Sequence, residues 1–245
     1  MSQAPSIFND VLGPVMRGPS SSHSAAANRI GRLALDLLAE PLKEVIARYD
    51  PNGSLVTTHK DQGTDLGLYS GLLGWPPEDE RLPTYEQVMA DKGIKVEVSY
   101  ESYEAPHPNF YRLEVVGESG RREYLDAIST GGGMIELVAV DRIPLPAAGD
   151  LDLTIFWLEA EPSQAEWEKH PAAVASEHVR WHQGDGHGLL VFFSRAELPD
   201  VDGLSAALGA DRVRVLKAVL PVLSRKDLTV PFETCAQMRD DVVFK

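Results

Sequence analysis

A single cysteine, Cys235, stands among 245 residues. It excludes an internal disulfide and any metal centre built from several thiolates of one chain, so a thiolate-held cluster would need a second polypeptide. Positive charge is scarce as well: 23 Lys and Arg face 37 Asp and Glu, a formal net of -14. Such a balance repels phosphate backbones and anionic headgroups, and neither nucleic acid nor a membrane surface is expected as a partner. Long apolar runs are missing. Gly188 to Phe193 and Ala218 to Leu223 are typical of the longest, far below the ~20 residues that span a bilayer as a helix. Met1 to Asp10 carries no basic segment followed by an apolar one, so no secretory signal is expected and the chain reads as cytoplasmic. What remains is ordinary for a folded domain. With 43% hydrophobic and 24% charged residues, a disordered or fibrous chain is excluded, and the length suits one large domain or two small ones.

The texture changes at Ile143 to Asp150, where two prolines and a glycine interrupt strand-like patterns on either side; a domain boundary is expected there. Before it, Ser22-His-Ser24 precedes a run whose apolar Ala26, Ile30, Leu33 and Leu37 predict an amphipathic helix with a serine cap. Val45, Ala47 and Tyr49 line one side of a short strand, followed by a turn at Pro51-Asn-Gly53 and a polar loop from His59 to Gly63. Thr64 can cap a second helix that stops at Gly74, and a third, Thr84 to Lys92, stops at Gly93. Ile94 to Tyr100, Phe110 to Val116, Arg122 to Ile128 and Met134 to Val140 read as strands. This half is α+β with a mainly antiparallel sheet. In the second half Leu151 to Leu158 alternates as a strand, Ser163-Gln-Ala-Glu166 is a capping box, and His178 to His182 with Leu189 to Phe193 forms a hairpin. Val201 to Leu208 as a helix and Arg212 to Leu220 as a strand complete the order β-α-β-β-α-β, a ferredoxin-like domain of about 70 residues. Ser224 to Lys245 reads as an extended tail.

Four short motifs could carry chemistry. Gly18-Pro-Ser-Ser-Ser-His-Ser24 places hydroxyls and an imidazole where a helix begins, and unpaired N–H groups with a positive dipole end can hold a carboxylate or phosphate there. An elaborate N-cap is the plainer explanation. His59-Lys-Asp-Gln-Gly-Thr-Asp65 crowds titratable groups into a loop before a helix, which by itself is better read as a solvated connection with Thr64 or Asp65 capping the helix. His107-Pro-Asn109 fixes a histidine ahead of a strand, or is simply a turn. Thr130-Gly-Gly-Gly133 can form a concavity of N–H donors for an anion, or a hairpin turn. His170, His178, His182 and His187 fit no compact zinc spacing and are read as structural. Trp157, Trp167 and Trp181 are read as core or interface residues, and Cys235 as incidental.

Taken together with Ser6-Ile-Phe-Asn-Asp10, Gly71-Leu-Leu-Gly74 and Ile128-Ser-Thr-Gly-Gly-Gly133, these motifs resemble, in order and spacing, the β chain of iron-sulfur-dependent L-serine dehydratases (L-serine ammonia-lyases) over roughly residues 6 to 140. The second half is similar in element order to an ACT domain. The resemblance implies a serine dehydratase β-like substrate-binding domain over 1–145, an ACT-like ferredoxin-fold domain over 150–223 and a tail over 224–245. It also implies a separate α chain that supplies three cysteines for a [4Fe-4S] cluster with one open iron, and an active site where the two chains meet. That iron would act as a Lewis acid on the serine hydroxyl while a base removes the α-proton; loss of water and hydrolysis of the enamine give pyruvate and ammonia. In this chain Ser20, Ser21, Ser22, His23 and Ser24, with Thr64, Asp65, Asn109, Gly131, Gly132 and Gly133, would bind the amino acid. His23, Lys60, Gln62 and His107 are the candidate catalytic positions. No metal ligand is expected in this chain.

Three positions depart from the family pattern. Gln62 stands where the family has a histidine, a candidate proton-abstracting base, and an amide does not titrate usefully. In an extended loop Lys60 would share the side of Gln62, with His59 nearby, and either could substitute after rearrangement. Thr130 and Ser24 replace a common isoleucine and threonine. These departures leave room for a different β-hydroxy or β-thio amino acid, for a base from the partner chain, or for lost activity. A reading from another class is a non-catalytic amino-acid-binding regulatory module, since the first half also resembles the allosteric substrate-binding domain of some phosphoglycerate dehydrogenases. A free-standing hydrolase using Ser22 and His23 is disfavoured, because adjacent residues at a helix start cannot readily form a nucleophile-base pair with an orienting third group.

Overall fold

The computed structural model describes residues 15–219 and position 236; the motif at 6–10, Cys235 and the tail at 224–245 lie outside the described residues. The chain enters through a π-helical turn, Ser21–Ala25, that runs on into α1, Ala26–Leu38. The 4-3-4 spacing of Ala26, Ile30, Leu33 and Leu37 does form the apolar face, and all four are buried. Strand β1, Leu42–Tyr49, follows, then α2, Leu55–Thr58, α3, Thr64–Leu72, a 3-10 turn at Leu82–Thr84, and α4, Tyr85–Asp91. Strands β2, Lys95–Tyr100, β3, Phe110–Gly117, β4, Arg122–Gly131, β5, Met134–Val140, and β6, Ile143–Ala147, complete a six-stranded sheet in the order β2-β1-β3-β4-β5-β6. All its pairs are antiparallel except β1 with β2, which the connection through α2, α3 and α4 makes parallel. The Pro-rich stretch expected only as an interruption is therefore itself a strand. Proline survives there because β6 is an edge, where a missing N–H breaks no ladder on the open side.

Period-two alternation decides the faces of this sheet. Val45, Ala47, Leu113, Val115, Leu125 and Ala127 point to the core and are buried. Arg48, Arg112, Glu114 and Asp126 point the other way, where cross-strand ion pairs join Arg48 to Glu114 at 2.7 Å and Arg112 to Asp126 at 2.9 Å. Onto the core face pack α1 and α3, in backbone contact. A Cβ on Gly67 would fall well inside the van der Waals envelope of the Ser24 carbonyl oxygen, one on Gly71 inside that of Asn28, and one on Gly31 inside that of Leu68. Each large aliphatic residue sealed between the helices and the sheet, such as Ile30, Leu33 and Leu68, contributes about 1.5–3 kcal/mol.

The second half is β7, Asp152–Leu158, α5, Gln164–Trp167, α6, Pro171–Ala175, β8, His178–Gln183, β9, Gly188–Ser194, α7, Val201–Leu208, and β10, Arg212–Leu216. Its sheet order is β10-β7-β9-β8 with every pair antiparallel, the ferredoxin-like topology expected from the element order. The capping box forms as read, with Ser163 and Glu166 satisfying each other's backbone. One face, with Phe156, Leu190 and Phe192, is covered by the helices, and Leu204 of α7 packs into the same cluster. The opposite face, with Leu153, Ile155, Trp157, Val191 and Leu216, joins the core of the first half. At that junction Glu123 is completely buried among three arginines, 2.7 Å from Arg212, 3.2 Å from Arg121 and 4.0 Å from Arg214. No described helix is long and apolar enough to cross a membrane.

Candidate functional site

The serine-rich motif does not cap its helix in the way a lone serine would. Ser20 occupies the cap position in extended conformation without a side-chain cap bond; its hydroxyl instead lies 3.1 Å from His23 Nδ1, while its carbonyl accepts from the His23 and Ser24 amides. His23 is half-buried, its Nε2 has no hydrogen-bond partner among the described residues, and burial pulls its pKa below the usual imidazole value. The neutral ring is therefore favoured near pH 7. Ser24, only 1% exposed, turns its hydroxyl inward to the carbonyls of Arg17 and Ser20, at 2.8 and 2.7 Å. Among the serines expected to bind a ligand, it is committed to the fold.

Ser22 ties this turn to the triple glycine. Its carbonyl accepts from Ser129 Oγ at 2.7 Å, and its hydroxyl accepts from the Gly132 amide at 3.1 Å. Gly131, Gly132 and Gly133 turn from β4 into β5 with φ of 106°, 61° and 83°, a left-handed run that only glycine adopts without strain. Gly133 is held from below by Arg29, whose buried guanidinium donates to its carbonyl. Arg29 was not singled out by the sequence, because an arginine beside Asn28 on an amphipathic helix reads as the wet face. Here α3 and the glycine turn cover that face too.

The third motif reaches the same corner through Gly63. At φ +85° it precedes α3, and a Cβ there would meet Pro19 and Ser24. Thr64 accordingly becomes the first helical residue rather than the cap, fully buried, with a hydroxyl that has no partner among the described residues. Residues 59–63 form a tight turn, not the extended loop that would have placed Lys60 alongside Gln62, and Lys60, Asp61 and Gln62 are all exposed. His59 goes inward instead. It is 4% exposed, its Nδ1 lies 2.9 and 2.8 Å from the two Asp65 oxygens, and its Nε2 is 2.9 Å from the Tyr100 hydroxyl. Burial raises the Asp65 pKa, and the hydrogen bond from His59 works against that rise.

His107-Pro-Asn109 arrives beside Ser129. The Asn109 carbonyl accepts from the Ser129 amide at 3.1 Å, the Asn109 amide donates to His107 Nδ1 at 3.0 Å, and Ser54 Oγ donates to the Asn109 side-chain carbonyl. His107 is half-buried beside a cavity of about 170 Å³ that it lines with Asp50, Gly53 and Glu104. Asp50 anchors this loop by accepting from the amides of Asn52, Tyr103 and Ala105, which hold its carboxyl below the usual range. All four motifs thus meet at one end of the first sheet. Its polar atoms present amides, hydroxyls and imidazoles suited to an anion and to proton transfer. Besides Arg29, the sequence reasoning missed Ser129, Tyr100 and the pairing of His59 with Asp65.

No family model matches this chain. It is 41% identical over 146 residues to a probable L-serine dehydratase, beta chain, of Bacillus subtilis (strain 168), covering 59% of this chain and 64% of that relative. It is 31% identical over 142 residues to the L-serine dehydratase, beta chain, of Peptoniphilus asaccharolyticus, covering 58% of this chain and 63% of the relative. The resemblance read from the motifs is borne out by these two relatives. The matches span a little under two thirds of either relative's length.

Proposed function

We propose that this chain is the β subunit of an iron-sulfur-dependent L-serine dehydratase-like lyase, turning L-serine into pyruvate and ammonia, and that it binds the substrate where it meets a cluster-bearing α chain. The observation that carries the reading is the convergence of Ser22, Gly132 and Ser129 with the Gly63 turn and Asn109, since these residues belong to the motifs that make up the resemblance. Ser20 to Ser22, His23 and the glycine turn are the groups assigned to the substrate carboxylate and ammonium. His107, which lines the small cavity with Asp50, Gly53 and Glu104, is given a proton-transfer role. One cysteine in the whole sequence cannot supply three thiolates, and no group of three His, Cys, Asp or Glu among the described residues could hold a metal. The donor set of a [4Fe-4S] cluster does not fit this chain, and the cluster is assigned to the partner. The ferredoxin-like half is assigned to regulation in the manner of an ACT domain, supported by its strand order.

Anaerobic co-expression with a cluster-bearing L-serine dehydratase α chain tests the assembly. A brown complex that co-purifies at fixed stoichiometry is expected. Two chains that elute separately, with no iron in either, would favour the non-catalytic binding module. Within the complex, Ser22→Ala removes the acceptor of the Gly132 amide and a hydroxyl facing the ligand. Losing one hydrogen bond to a charged group costs about 1.5–3 kcal/mol, so KM for serine should rise roughly 10- to 100-fold. Unchanged kinetics would remove Ser22 from the site.

A further inference from the structure

Gln62 leaves the reaction proposed above without the base that the family pattern places there, and the structure offers a different one. His59 and Asp65 form a buried pair one turn away from the exposed Gln62. The carboxylate engages Nδ1 through both oxygens. An imidazole held this way by a carboxylate has its tautomer and orientation fixed and presents Nε2 as the proton-accepting atom. Here Nε2 faces the hydroxyl of Tyr100 at 2.9 Å. Tyr100 is the last residue of the edge strand β2. It is 51% exposed, yet its hydroxyl is turned inward onto the ring it covers.

The surroundings argue against a bare structural tie. His59 lies against the rings of Tyr49, at 5.6 Å, and Tyr100, at 6.1 Å. The hydroxyls of Tyr49 and Tyr69 are buried and find no partner among the described residues. A fold that needed only to fill this space would use phenylalanine, because each unpaired buried hydroxyl costs free energy. The same turn carries Gly63, which packs against Pro19 and Ser24. The turn that carries His59 and Asp65 is thus seated on the serine-rich motif through Gly63.

We infer that Tyr100, His59 and Asp65 form a proton relay, with Tyr100 as the catalytic residue and His59 and Asp65 as the positioning residues behind it. The inference rests on the dehydratase reading and names the base within it. As the substrate Cα–H bond breaks, its proton passes to the Tyr100 oxygen while the Tyr100 hydroxyl proton passes to His59 Nε2. The Asp65 carboxylate stays ionised and stabilises the imidazolium. The Cα–H electron pair becomes the Cα–Cβ double bond, the Cβ–O bond breaks, and the departing hydroxide takes back one proton and leaves as water. The relay returns to its starting state with no oxidant or reductant required.

Tyr100→Phe is the informative variant, because the ring that covers His59 is kept and only the hydroxyl is removed. In the co-purified complex it should lower kcat about 100-fold, the scale of a general base, with KM changed less than about threefold. The primary kinetic isotope effect with serine deuterated at Cα should rise, since proton removal becomes the slow step. Asp65→Asn should produce the same pair of changes, and Tyr85→Phe, whose hydroxyl bonds exposed Glu86, should produce neither. A merely structural role would reduce the active fraction and leave the isotope effect where it was. An active wild-type complex whose Tyr100→Phe variant keeps its kcat and isotope effect overturns the relay alone. A wild-type complex inactive towards L-serine and towards other β-hydroxy and β-thio amino acids overturns the dehydratase reading, and the relay with it.

Discussion

Gly67→Ala should destabilise the chain by about 3 kcal/mol, the upper part of the range for overpacking a filled site, and Gly71→Ala by a similar amount. The reason is backbone contact, not glycine's flexibility. At Gly67 the added methyl would be driven into the Ser24 carbonyl oxygen of the π-helical turn and at Gly71 into the Asn28 carbonyl oxygen of α1, and neither oxygen is the free end of a movable side chain. Relief requires α1 and α3 to move apart. That separation would also pull Ser24 off Gly63 and with it the serine-rich turn off the Gly63–Asp65 turn, so activity of the complex should fall together with stability. Gly132→Ala is the comparison: its Cβ meets open space and only its positive φ, +61°, is strained, a cost of about 1–2 kcal/mol. Urea unfolding midpoints of the three variants check the order. A Gly67 variant no weaker than the Gly132 variant would show that the helices can part without cost.

Glu123→Ala carries the second large effect. Its carboxylate is the common partner of Arg212, Arg121 and Arg214 where the two sheets share their core, and Arg212 also reaches Asp141. Removing one partner of a buried ionic cluster leaves the others uncompensated, so about 3–5 kcal/mol should be lost. Glu123→Gln, which keeps the shape and an acceptor, should lose less. The pH dependence has a defined sign. Burial raises the Glu123 pKa above that of the unfolded chain, so the native state holds this proton more tightly than the unfolded state does. Titration of this group alone therefore lowers stability as pH rises between the unfolded and folded values, and Glu123→Gln should remove that contribution. Chemical unfolding across acidic pH measures it.

Much of this fold was legible because its signals are local. The 4-3-4 spacing of Ala26, Ile30, Leu33 and Leu37 needs only one buried face. Glycine at 74 and 93 marks helix ends by its left-handed conformation, and glycine, proline and charged turns bracket β3, β4 and β5. Other elements fell below what local patterns can signal. The helices α2 and α6, with four and five residues, are too short to show a period. Strand β6 is disguised by Pro144 and Pro146, which an edge tolerates. In the site, the serine motif, the Gly63 turn, the triple glycine and His107-Pro-Asn109 were each visible as sequence. Their meeting point was not, because it depends on β3 and β4 bringing Asn109 beside Ser129 and on helix packing bringing Gly63 to Ser24. The inward turn of His59 was equally hidden. It follows from the compact conformation of residues 59–63, which sends Lys60 and Gln62 to solvent and the histidine to Asp65.

The measurement that bears most directly on the proposed role is pyruvate formation from L-serine by the anaerobically co-purified complex of this chain with its candidate α chain, wild type beside Ser22→Ala. The account predicts pyruvate from the wild-type complex and a roughly 10- to 100-fold higher KM in the variant, the loss of one charged hydrogen bond. An intact, iron-bearing complex that releases no pyruvate would contradict it.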